Sequence, residues 1–163
     1  MNILFSEGSS LTAREFLNVL GPRGHRIEVL DSSPICICAF SRWTKKVHRC
    51  PPAGKDPIGY LAKVNHLLET GRYDVLLPTH EQAWLFAAAR AAVNTAGSEK
   101  LFKHTKIALA QPESFAKVQS KTEFARLLDE VGLPQPGWQI IDSADALDKR
   151  QPPYYLKAPY STA

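Results

Sequence analysis

No apolar run in this sequence approaches the roughly 20 residues that a bilayer-spanning helix requires, so membrane insertion is not expected. Met1 to Glu7 has neither a basic start nor a long apolar stretch, and a secretory signal is not expected either. Cysteine is scarce: 3 in 163 residues. Cys36, Cys38 and Cys50 are too few for a disulfide framework and lack zinc-ribbon spacing. These absences point to the cytoplasm. Three enzyme signatures are also missing. There is no G-x-G-x-x-G dinucleotide fingerprint, no P-loop with its Lys-Ser/Thr, and no G-x-S-x-G nucleophile elbow. A nicotinamide enzyme fragment is thereby the weakest reading, and a hydrolase triad has no support.

What is present is ordinary globular material, 44% hydrophobic and 22% charged, which argues against disorder. The net charge of +4 is mild and scattered. Its one cluster, Arg42, Lys45, Lys46, His48 and Arg49 around Trp43, reads as a solvated connector, because charge runs usually face water. Nucleic acid is not an expected partner. Cys36-x-Cys38 lies in an apolar run, Ile35 to Phe40, that reads as core, and buried cysteines usually behave as small hydrophobes.

The order of elements is informative. Ile3, Leu4 and Phe5 read as a buried strand entering a Glu7-Gly8-Ser9-Ser10 turn. Ala13, Phe16, Leu17 and Leu20 recur at helical spacing; Thr12 with Glu15 forms a capping box, and Ser9 or Ser10 is an equal candidate for the cap. Gly21-Pro22 ends that helix. Arg26 to Leu30 is a second strand, which makes a βαβ unit with a right-handed crossover. A short strand is expected over 46–50. Asp56-Pro57 starts a helix carrying Tyr60, Leu61, Val64, Leu67 and Leu68, and Gly71 ends it. Val75 to Leu77 is a strand. Pro78-Thr79-His80-Glu81 then opens a helix that packs through Leu85, Ala88, Ala89 and Ala92. Lys106 to Ala110 is a further strand. Near Pro112 the pattern changes. Ser120 to Glu123 is a capping box before Phe124, Leu127, Leu128 and Val131, with Gly132 as the C-cap. Strands are expected at 139–141 and 154–158, around a short helix from Ser143. The expected fold is α/β: a Rossmann-like open parallel sheet with helices on both faces over residues 1–110, then an incomplete second domain over 111–163.

In such sheets ligands collect at the carboxyl ends of the strands. Two loops qualify. Glu7, Gly8, Ser9 and Ser10 lead into a helix N-terminus, an anion site by its amides and dipole or an ordinary turn. Thr79, His80 and Glu81 offer acid–base chemistry through His80, or simple capping with a surface histidine. One His–Glu pair is not a metal site. Lys121 stands in the first turn of a helix, where the dipole disfavours a cation. Lys157 stands on a half-buried strand in an otherwise uncharged stretch. A shared polyphosphate would explain both lysines; so would solvation of the first and snorkelling of the second.

Taken in order, five segments resemble the N-terminal part of the ATP-grasp ligases, a group that includes biotin carboxylase, carbamoyl-phosphate synthetase and purine-pathway carboxylate–amine ligases. They are the opening strand with its Gly-Ser-Ser turn, Tyr73-Asp74-Val75-Leu76-Leu77-Pro78-Thr79-His80-Glu81, Ser120-Lys121 heading a helix, Gly132-Leu133-Pro134-Gln135-Pro136, and Tyr154-Tyr155-Leu156-Lys157-Ala158. The resemblance implies that 1–110 is the domain preceding the ATP-grasp fold and 111–163 a truncated first lobe of that fold. It implies that Lys121 and Lys157 contact ATP phosphates. Glu7 to Ser10 and Thr79 to Glu81 would then help form the pocket of an acceptor substrate, a small carboxylate or amine. ATP and Mg2+ are the implied cofactors, with an acyl phosphate as intermediate and a homodimer as candidate assembly. Ser161 and Thr162 would begin a phosphate-covering loop. The family's later lobe, with its acidic magnesium ligands, has no counterpart here, so no catalytic residue and no metal ligand is assigned. These 163 residues are expected to be inactive alone. The rival reading is a non-catalytic nucleotide-binding or regulatory module of doubly wound fold.

Overall fold

The structure, a computed structural model, describes residues 1–70, 72–96, 102, 105–148 and 151–160. It divides into two compact units, Met1–Pro112 and Glu113–Ala163.

The first unit is built on five strands: β1 (Asn2–Phe5), β2 (Arg26–Asp31), β3 (Thr44–Arg49), β4 (Val75–Leu77) and β5 (Lys106–Ile107). All pair in parallel, in the order β3-β2-β1-β4-β5. Alternation along the strands splits the core in two, as a parallel sheet covered on both faces requires. On one face Leu4, Leu30 and Leu76 pack with Tyr60, Val64, Leu67 and Leu68 of α2 (Pro57–Glu69) and Phe86 of α3 (Gln82–Ala96). On the other, Ile3, Phe5, Ile27 and Val29 pack with Ala13 and Leu17 of α1 (Leu11–Leu20).

Local chemistry sets the helix ends. Ser10, not Thr12, caps α1, its side chain accepting from the Ala13 amide at 3.1 Å. Asp56 caps α2 by accepting from the Gly59 amide, with Pro57 at the first helical position. Gly71, expected to end α2, lies outside the described residues.

Two expectations need correction here. Among the residues of α3 whose side chains are described, Phe86 and Ala87 are buried, while Ala88 and Ala92 are exposed. The Phe86 ring stacks at 6.0 Å on Tyr60 and meets Phe102 edge-on at 5.6 Å, and one aromatic buries more apolar surface than the alanine stripe. In the stretch 35–40, Cys36 and Cys38 enter the core, but Ile35, Ile37 and Phe40 are exposed. The chain turns there through a 3-10 helix (Ile37–Phe40), whose tighter pitch points neighbouring side chains in different directions.

The second unit contains α4 (Pro112–Gln119) from its second residue onward, α5 (Lys121–Glu130) and α6 (Ala144–Asp148). Ser120 caps α5 by accepting from the Glu123 amide, and Gly132 takes the left-handed conformation, φ 68°, just past its end. The strands expected at 139–141 and 154–158 do not form; both segments are irregular. A strand needs a neighbour for its backbone groups, and neither segment has a ladder partner among the described residues. Lys157 accordingly sits on an exposed irregular segment, not a half-buried strand.

Candidate functional site

The strand order puts a topological switch point beside β1. The chain moves from β1 outward to β2 and β3, then returns to place β4 on the other side of β1. Loops leaving β1 and β4 diverge at such a point and leave a crevice between them. The residues that follow these two strands are knit together. The Thr79 amide donates to Ser6 Oγ at 3.0 Å, Thr79 Oγ1 donates to the Glu7 carbonyl at 3.0 Å, and His80 Nδ1 stands 4.0 Å from Glu7 Oε2. Tyr60 of α2 donates its hydroxyl to the Ser6 carbonyl at 2.6 Å.

Beside them lies a hollow of about 220 Å3, lined by Ser6, Glu7, Ser9, Asp31, Tyr60 and Gln82 among others. The structure thus brings Glu7, Ser9, Thr79 and His80 to one end of the sheet. Glu81 is exposed in the turn before α3. One amide of the Glu7–Ser10 turn is held within the chain, Gly8 donating to Asp31 Oδ2 at 3.0 Å, and the Ala13 amide in the first turn of α1 is capped by Ser10. Gly8 is required by close approach, since a Cβ there would stand 2.6 Å from Val29 Cγ1 and 2.8 Å from Cys36 Sγ.

Asp31 escaped sequence reasoning. It ends β2, and its carboxylate also accepts from Ser9 Oγ at 2.8 Å and the Ser33 amide at 2.7 Å. Gln82, the first residue of α3, escaped as well. The available signal for Asp31 was an acid directly after a buried apolar strand, the place where ligand loops begin. Burial pushes the Tyr60 hydroxyl well above its ordinary range, and the nearby Cys50, Glu7 and Asp31 push it further the same way. Tyr60 is therefore a neutral hydrogen-bond donor. Cys50, on the same hollow, is raised to about 11 by burial and by Asp31, against the opposing pull of Arg49 and Lys63.

In the second unit, a larger hollow of about 830 Å3 is lined by both Lys121 and Lys157, with Gln135, Trp138, Ile140 and Tyr154 among its walls. Lys121 opens α5, and its amide donates to the Pro159 carbonyl at 3.0 Å, which draws the end of the 151–160 segment onto the start of that helix. Two ammonium groups beside a helix N-terminus suit a polyanion. Ser161 and Thr162 lie outside the described residues. No group of three or more His, Cys, Asp or Glu among the described residues could hold a metal ion. No described helix is long and apolar enough to cross a membrane.

A separate polar cluster, also missed, sits on β2 and β3. Glu28 is 1% exposed and accepts from the Tyr73 hydroxyl at 2.6 Å, from His48 at 2.6 Å and from Arg26 at 2.7 Å. Burial raises the Glu28 carboxyl, but the hydrogen bonds from Tyr73, His48 and Arg26 outweigh it and hold the group at about 2. Tyr73 lies two residues before β4, while Glu28 sits within β2 and His48 near the end of β3, and none of the three lines the hollow beyond β1.

No family model matches the sequence, and no curated protein matches it. Solved structures do share the fold. An L-amino acid ligase from Bacillus licheniformis superposes with a TM-score of 0.66 at 14% identity, over 94% of this chain and 34% of its own. N5-carboxyaminoimidazole ribonucleotide synthetase from Thermotoga maritima gives 0.57 at 15% identity, over 89% and 34%. The biotin carboxylase domain of a single-chain bacterial carboxylase gives 0.58 at 13%, over 88% and 32%. The chain spans about a third of the length of each. All three are ATP-grasp enzymes, and this chain has the fold of their amino-terminal region.

Proposed function

We propose that this chain is the amino-terminal part of an ATP-dependent carboxylate–amine ligase, or a close chemical relative, working in the cytoplasm. ATP would activate a carboxylate as an acyl phosphate, which an amine attacks. In this reading the 830 Å3 hollow receives the nucleotide. Lys121 and Lys157 meet its phosphates, and the apolar walls take the flat base. The crevice beyond β1 and β4 takes the acceptor substrate. What carries the reading is that both lysines line one hollow, in a chain whose fold follows ATP-grasp enzymes along nearly its whole length.

The two cofactors fit differently. The lysine pair and the start of α5 suit a triphosphate. The described residues offer no cluster for magnesium, so no step is routed through it, and its ligands are proposed for the parent enzyme outside this chain. The 163-residue chain is accordingly proposed to bind nucleotide without turning it over.

Calorimetric titration with ATP tests the nucleotide site. Binding should weaken about tenfold in Lys157→Ala and in Lys121→Ala, the usual scale for losing one charged phosphate contact. Absent binding, or unchanged affinity in both variants, overturns the reading. ADP release by the gene product, screened with mixed carboxylates and amines, then separates the enzyme from a regulatory module. The ligase requires release that depends on both substrates; the module predicts ATP binding with none.

A further inference from the structure

The basic cluster of the sequence lies on and just before β3, which is an edge of the sheet. Among the described residues β3 pairs with β2 alone, and its register decides which way its backbone points. His48 lies opposite Leu30, and the Cys50 amide donates to the Asp31 carbonyl at 3.2 Å. Residues that bond the neighbouring strand of a parallel ladder alternate with residues turned away from it. His48 and Cys50 therefore face β2, and Val47 and Arg49 turn their amides and carbonyls outward. No described strand or turn receives these groups. Free edge groups of this kind are a template for a further strand.

The side chains on this edge carry one sign. Lys45, Lys46 and Arg49 are the exposed residues of β3, and none of them forms an ion pair among the described residues. A surface left to water usually mixes both signs. Lys46 and Arg49, three apart along the strand, point to opposite faces of the sheet. Lys45 is the extra residue where the register with β2 shifts. Just before the strand, the Arg42 guanidinium lies 4.7 Å over the Trp43 ring, so a ring and not a carboxylate holds it. The 3-10 helix that packs against β3, tied to it by Thr44 Oγ1 donating to the Cys38 carbonyl at 2.6 Å, leaves Phe40 77% exposed. Apolar exposure rimmed by charge is a mark of interaction surfaces.

We propose that the outer edge of β3 takes up an extended acidic segment of another protein, added as a sixth strand beside the five. The main chain of the segment bonds the outward groups of Val47 and Arg49. Carboxylates on its two faces meet Lys46 and Arg49, with Lys45 and Arg42 beside its end. A second copy of this chain does not suit the place, because pairing two β3 edges sets their cations against one another. A bilayer is flat and reaches only one face of the strand. The inference concerns the first unit and stands apart from the ligase reading.

The test uses the 163-residue chain and a fluorescein-labelled peptide of about ten residues, valine and threonine with glutamates on both faces. One twin is fully N-methylated, which keeps the charge and removes the amide donors. A second twin carries lysine for glutamate. Fluorescence anisotropy at physiological salt should show binding of the acidic peptide, binding weaker by about tenfold for the N-methylated twin, and none of the lysine twin. The double variant Lys46→Glu, Arg49→Glu should lose about tenfold for the acidic peptide and gain the lysine twin. A gain of binding cannot come from misfolding. Val47→Pro should abolish binding while sparing the ladder to β2, because the N–H it removes points outward; if that variant unfolds, the charge reversal decides. Equal binding of the N-methylated twin, failure of the acidic peptide to bind, or an unreversed charge preference overturns the proposal. So does tighter binding of phosphatidylserine vesicles or of oligothymidylate than of the acidic peptide, which would give the patch to a membrane or to nucleic acid.

Discussion

The Gly8 amide donates to Asp31 Oδ2 across 3.0 Å, and that bond pins the loop leaving β1 to the end of β2. The same carboxylate accepts from Ser9 Oγ and from the Ser33 amide, so three donors converge on one buried acid. Asp31→Ala strands all three and should cost about 2–4 kcal/mol. Asp31→Asn keeps one acceptor oxygen and should cost less. Urea unfolding of the two variants beside the parent chain checks the ranking. A parent-like midpoint for Asp31→Ala would mean that water replaces the carboxylate without loss.

Glu28 makes stability depend on pH in the acid range. Its folded value of about 2 lies below the ordinary 4.5, so on acidification the unfolded chain takes up the proton first. The stabilisation is complete above pH 4.5 and drains away as pH falls toward about 2. The shift corresponds to roughly 3 kcal/mol. Urea midpoints measured down this window should fall steeply in the parent. In Glu28→Gln they should start lower, because Tyr73 and His48 lose their charged acceptor, and then change little with pH. Parallel parent and variant curves would remove Glu28 as the cause.

Much of this was legible beforehand, and the reasons are physical. The first unit is readable because β1 and β2 are buried on both faces, so apolar runs mark them, and because Ser10, Asp56 and Pro57 set helix starts by local chemistry. Element order put the loops holding Glu7 and Thr79 at carboxyl ends of strands, and the strand order that sets β1 beside β4 brings those two residues into contact. Asp31 was passed over because its partners, Gly8 and Ser9, lie far from it along the chain. Glu28, an acid in the middle of β2, reads as a solvent-facing position until Tyr73 and His48 are known to cover it. The second unit misled because its apolar segments, which alternate like strands, carry no ladder among the described residues. Tyr155, at 94% exposure, has nothing to pack on. Periodicity reports which side chains seek burial, not whether a neighbour exists.

Cysteine chemistry gives a further check. Burial raises the thiols of Cys36, Cys38 and Cys50, the latter two to about 12 and about 11, with the Asp31 charge adding to each. The thiolate is the reactive form. All three should resist a thiol reagent at neutral pH in the folded chain and react together in denaturant. Rapid labelling of the native chain at Cys36 or Cys38 would reopen the redox role that their C-x-C spacing invites.

Asp129 offers a last test, because it acts on the larger hollow without entering it. It lies in the last turn of α5. Its two carboxylate oxygens accept from Gln135 Nε2 and, at 2.9 Å, from Trp138 Nε1. Both donors line the hollow, and Asp129 does not. These bonds are exposed, so Asp129→Ala should change unfolding stability by no more than about 1 kcal/mol. Gln135 keeps its second bond, to the Ala125 carbonyl, but Trp138 should be freed and ATP weakened several-fold, since disordering a binding wall adds an entropic cost to every binding event. Trp138 should report the release through a shift in its fluorescence toward that of a water-exposed indole. Unaltered fluorescence with unaltered ATP affinity would mean that the proline-rich loop, Pro134 to Pro136, holds its shape unaided.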